Sequence, residues 1–95
     1  MNVKVDRIEF KYDLNEISYM VCNLNNGCKF DIEPYDFYYW LIENVETLKN
    51  YSDKFNSWSE LTEDLKSLEF DFISHSEEYI NSEFSDSDIS MFCYN

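Results

Sequence analysis

The chain has 95 residues, with 20 Asp and Glu against seven Lys and Arg for a formal net charge of −13, and it is 44% hydrophobic with eight Tyr, eight Phe and two Trp. That length supports one domain, residues 1–95, and so much aromatic volume excludes a disordered chain in spite of the charge. The charge is also lopsided: residues 1–30 sum to zero, the entire excess lies beyond them, and no Lys or Arg follows Lys66. A one-signed surface on one side of the domain is expected, and nucleic acid itself should be repelled.

No apolar run approaches the roughly 18 to 20 residues of a membrane span, and Met1 to Lys11 alternates charged and apolar residues instead of building a signal-peptide core. The expectation is a cytoplasmic protein of a bacterial host cell with no membrane contact. Three cysteines, Cys22, Cys28 and Cys93, are odd in number and lack metal-type spacing, which suits reduced thiols. Abundant Asn, Lys, Ile, Tyr, Asp and Ser with one Gly and one Pro is the composition of AT-rich coding, as in a low-GC bacterium or its phage.

In chain order, Val3, Val5, Ile8, Phe10 and Tyr12 alternate with polar residues as a strand whose phase slips at Asp6 and Arg7, the mark of a bulge. Ile17 to Leu24 and Cys28 to Ile32 form a hairpin around Asn25-Asn26-Gly27, with Gly27 in the left-handed region. That loop pairs Leu24 with Cys28, Cys22 with Phe30 and Met20 with Ile32, so that one face is apolar. Glu33 and Pro34 start a helix expected to run to about Asn50, with a core stripe of Tyr38, Leu41, Val45 and Leu48. Ser57-Trp58-Ser59-Glu60 reads as a capping box opening a second helix, with Trp58, Leu61, Leu65 and Leu68 on one face. Leu68, Phe70 and Phe72 alternate as a strand, Ser74 and Glu77 cap a short helix through Tyr79 and Ile80, and Ile89 to Tyr94 reads as a last strand. Ser85-Asp86-Ser87-Asp88 reads as a solvated turn. The expected fold is α+β: an antiparallel sheet of three to five strands with two main helices packed on one face.

The chemistry points away from catalysis. One glycine leaves no phosphate-cradling loop, so no nucleotide cofactor is expected. A single histidine, His75, has no metal or relay motif beside it, and the carboxylate pairs lack a calcium-loop pattern, so no metal site is expected either. Recognition remains. The run Tyr35-Asp36-Phe37-Tyr38-Tyr39-Trp40 places rings on every side of a helix that can bury only part of its circumference. Tyr39 and Trp40 fall outside the core stripe, with Asp36, Glu43 and Glu46 nearby, as expected of an anchor for a basic partner. The competing reading packs Trp40 under the second helix or the C-terminal strand. Glu77, Glu78, Asp86 and Asp88 extend the acidic surface. The expected partner is a protein with a basic, Lys/Arg-lined surface such as that of a nucleic-acid enzyme, with the carboxylates imitating phosphates.

This whole-chain profile of small size, AT-rich coding and heavy negative charge resembles small phage-encoded inhibitors of bacterial defence, the acidic anti-CRISPR proteins and anti-restriction DNA mimics. The resemblance implies a non-catalytic inhibitor of a Cas or restriction nuclease. A second class with similar logic is the immunity or antitoxin protein that blocks a nuclease toxin.

Overall fold

Period-two alternation over the first third of the chain builds an antiparallel meander of β1 (Val5–Asp13), β2 (Glu16–Leu24) and β3 (Lys29–Ile32), in the order β1-β2-β3. The computed structural model describes residues 2–51 and 57–95. The phase slip at Asp6 is a register shift: Val5 pairs with Leu24 and Arg7 with Asn23, leaving Asp6 as the extra residue of a bulge. A second shift makes Ser18 the extra residue, and its hydroxyl donates to the Lys11 carbonyl at 3.1 Å. The β2–β3 hairpin has the expected register, with Met20 opposite Ile32 and Cys22 opposite Phe30, and Gly27 at φ +88°. At the β1–β2 turn, Leu14 and Asn15 both take positive φ (51° and 69°), the mirror-image turn that matches strand twist.

The α+β class holds, but four α-helices, not two, cover the sheet among the described residues. Helix α1 (Pro34–Asn44) opens as read, with the Glu33 carboxylate accepting from the Asp36 amide at 2.9 Å and Pro34 at the first position. It stops six residues before the expected Asn50. The Asn44 side chain donates to the Trp40 carbonyl at 2.8 Å, a local bond that competes with continuation, and a 3-10 helix (Glu46–Tyr51) follows. Leu48 remains buried, so the stripe still reaches the core.

Helix α2 (Trp58–Ser67) begins where the capping pattern put it, with Ser57 Oγ accepting from the Glu60 amide at 3.0 Å. The expected strand after it is absent. Instead the Phe70 amide donates to the Leu65 carbonyl and the Glu69 amide to the Lys66 carbonyl, both at 3.0 Å, with Glu69 at φ 57°. This is a Schellman termination carrying Glu where Gly is usual. Leu68, expected on the core face, is 66% exposed as a result.

Helix α3 (Phe72–Glu83) starts at Asp71, whose carboxylate accepts from the Ser74 amide at 2.9 Å, so the cap lies three residues before the expected Ser74. The chain end is also helical. In α4 (Asp86–Phe92), Ser85 and Asp88 form a reciprocal capping box, so the Ser/Asp stretch is a helix start and not a turn. Of the segment expected as a strand, only Tyr94 pairs with the sheet, in a two-hydrogen-bond bridge with Lys29.

One face of the sheet and the helices share a single core: Val5, Ile17, Met20, Cys22, Leu24, Phe30 and Ile32 pack with Phe37, Tyr38, Leu41, Leu61, Leu65, Ile80 and Ile89. The Tyr38 hydroxyl donates to Thr62 Oγ1, which donates to the Trp58 carbonyl at 2.8 Å, so two buried hydroxyls are satisfied in sequence. The outer edge of β1 is closed by α3. The Val5 amide donates to Glu77 Oε1 at 2.7 Å, and Asn81 exchanges hydrogen bonds with the Val3 amide and carbonyl. No helix among the described residues is long and apolar enough to cross a membrane.

Candidate partner-binding groove

The two layers differ in charge. Strand pairing puts Arg7, Glu9 and Lys11 beside Tyr19, Asn23, Lys29 and Asp31 on the open face of the sheet, where acids and bases are mixed. Arg7 lies 3.8 Å from Glu9, and the Asn23 amide donates to Glu9 at 3.2 Å, an interaction that, more than the nearby cations, holds the Glu9 carboxyl below the usual carboxylate range. On the helical side, α1, α3 and α4 carry Asp36, Glu43, Glu77, Glu78, Glu83, Asp86 and Asp88 and no Lys or Arg. The lopsided sequence charge is therefore a lopsided surface.

Between α1 and the end of α3 lies an open groove of about 670 Å³, lined by Tyr35, Asp36, Tyr39, Trp40, Glu43, Tyr79, Glu83 and Phe84. Helical spacing assembles it: Tyr35, Tyr39 and Glu43 succeed one another at i, i+4 and i+8, Asp36 and Trp40 at i and i+4, and Tyr79 and Glu83 at i and i+4 on the facing helix. The rings stand at steep angles to one another. Trp40 meets Tyr79 edge-on at 5.5 Å, Tyr79 meets Phe84 at 5.9 Å, and Tyr35 leans on Tyr39 at 4.7 Å. Phe84 is held from behind by Phe30 of the sheet at 5.0 Å.

Four expected site residues, Asp36, Tyr39, Trp40 and Glu43, thus come together. Tyr39 is 47% exposed. Trp40 is different: at 9% exposure it is a buried floor of the groove, packed against α3 and neither under α2 nor under a C-terminal strand. The other five lie elsewhere. Glu46 pairs with Lys49 at 2.9 Å, Glu77 is spent on the Val5 amide, Asp88 caps its own helix through the Ser85 amide at 3.2 Å, Asp86 is in the first turn of α4, and Glu78 is exposed on α3. Reading the sequence missed Tyr35, Tyr79, Glu83 and Phe84. The i, i+4 pairing of Tyr79 with Glu83 signals them once α3 is known to extend past Ile80.

The groove's electrostatics follow from this layout. Burial, and then the neighbouring Asp36, Glu83 and Glu33, push the Tyr79 hydroxyl up to about 12. The Tyr35 hydroxyl is raised as well, first by its hydrogen bond with Tyr39. The cysteines do not line it. Cys22 is buried, and desolvation pushes its thiol up to about 12, far from nucleophilic. Cys28 and Cys93 are free and share a hydrogen bond beside the Lys29–Tyr94 bridge. His75 Nδ1 lies 2.9 Å from the Asp71 carbonyl, with its ring stacked on Phe70 at 4.6 Å, so it finishes the start of α3. The chain matches no protein-family model, and no curated protein or solved structure matches it.

Proposed function

We propose that the protein is a non-catalytic inhibitor that lays its acidic helical side on the basic nucleic-acid-binding surface of a bacterial defence nuclease, in the manner of anti-CRISPR and anti-restriction DNA mimics. The observation that carries this reading is the segregation of charge: α1, α3 and α4 hold acids and no Lys or Arg, while Arg7, Lys11 and Lys29 sit in the sheet and Lys4 just before it. The longest dimension of the molecule is 35 Å. Duplex DNA of that length carries about 20 phosphates, of which roughly half face one side. The seven carboxylates of α1, α3 and α4 are of that order. Repulsion keeps nucleic acid off this side, and a Lys/Arg-lined groove is steered onto it.

The test is affinity capture from a low-GC bacterial lysate at low and high salt, followed by a DNA-binding and cleavage assay of whichever nucleic-acid enzyme is retained. A nuclease released by salt, whose DNA binding the protein blocks, supports the reading. Capture of a toxin nuclease encoded beside the protein's own gene overturns it in favour of the immunity class. An enzyme that keeps its DNA while bound overturns mimicry.

A further inference from the structure

We propose that the groove between α1 and α3 binds an arginine side chain of a basic protein partner, with the guanidinium against the aromatic rings and its N–H groups donating to Asp36, Glu43 and Glu83. The inference deepens the proposed function by naming what anchors the partner, and it rests on that reading for the partner's basic character alone.

Three features select this ligand. The lining is five aromatic rings and three carboxylates. A planar, weakly hydrated guanidinium satisfies both sets at once, because it stacks on rings and forks its five donors to carboxylates. An ammonium, compact and strongly hydrated, gains less from the rings. Second, no Lys or Arg stands on α1 or α3, and among the described residues no ion pair engages Asp36, Glu43 or Glu83. A neutral or apolar occupant would desolvate these charges without replacing their water, and a phosphate would be repelled outright. Third, the volume of about 670 Å³ falls within the ordinary range for ligand sites, roughly 300–1,000 Å³, and accommodates the side chain together with flanking backbone. The raised Tyr79 hydroxyl, which owes part of its shift to Asp36 and Glu83, reports the same negative field inside the groove.

The experiment is an NMR titration of the full chain with N-acetyl-arginine methylamide, its neutral isostere N-acetyl-citrulline methylamide, and the trimethyl-lysine counterpart. Saturable shifts confined to residues 35–43 and 79–84, with arginine bound at least tenfold tighter than citrulline, are expected. Asp36→Asn/Glu83→Gln should weaken arginine binding about tenfold or more while leaving the rest of the spectrum and the melting temperature in place. Equal binding of citrulline, tighter binding of trimethyl-lysine, or shifts centred on other acids such as Glu60 to Asp64 would each overturn the assignment. The two proposals fail separately. Arginine binding without any captured nucleic-acid enzyme sinks the inhibitor reading alone, while an enzyme that binds the double variant as tightly as the parent sinks the groove alone.

Discussion

At the scale of single residues, adjacent rings on α1 have opposite duties. Trp40 is buried against Tyr79, whereas Tyr39 is half exposed against Tyr35 and Trp58. Trp40→Ala should cost about 3–5 kcal/mol, the range for emptying a buried large aromatic site, and Tyr39→Ala about 1 kcal/mol or less. Chemical denaturation of the two variants checks this, and equal losses would mean that Tyr39 is core as well. Partner affinity should fall in Tyr39→Ala while its fold persists. The sequence placed Tyr39 correctly because it lies off the helix stripe on both flanks. Trp40 lies off the stripe too, but it is buried by α3, an element whose length and docking no local pattern announces.

At the scale of elements, what was legible followed from strong local chemistry, and what was missed lacked it. The hairpin register, the Asp6 bulge, Pro34 and the Ser57 cap each have a residue type that suits one conformation. The end of α2 does not. Its left-handed residue is Glu69, so Leu68, Glu69, Phe70, Asp71 and Phe72 read as alternation, although Phe70 is the residue that closes the Schellman motif and Phe72 begins α3. A non-glycine residue there is strained, so Glu69→Gly should stabilise the protein by about 0.5–1 kcal/mol, the left-handed penalty relieved less the entropy glycine loses. Urea unfolding measures the difference; a loss of stability would place the Glu69 side chain in some compensating contact. The last helix was hidden likewise, since Ser85 to Asp88 satisfies the composition of a turn and of a capping box alike.

At the scale of the molecule, pH and salt act through the same arrangement of burial and charge. Burial raises Cys22 from an ordinary 9.0, and Tyr79 from 10.0, each to about 12. Both groups hold their protons more tightly folded than unfolded, so their contribution is complete below about pH 9 and is lost as pH climbs toward 12. Denaturation midpoints should therefore fall across that window. In Cys22→Ala the decline between pH 9 and 10 should be shallower than in the parent; an unchanged slope would show that the thiol does not contribute. Salt should act with opposite signs on two observables. Screening relieves the self-repulsion of a −13 chain and raises its melting temperature, while it weakens capture of a basic partner. A partner affinity that is flat in salt would remove charge mimicry from consideration.

The hydrogen bonds from Val3 to Asn81 and from Val5 to Glu77 span 78 and 72 positions of the chain. The edge of β1 has no cover until α3 exists, and α3 follows it in the chain by about 60 residues. A nascent chain that has completed only the meander exposes that edge and the apolar face beside it, so β1 is secured only once α3 has been made. The interval between completion of the meander and the emergence of α3 is when this protein is most open to pairing with another strand.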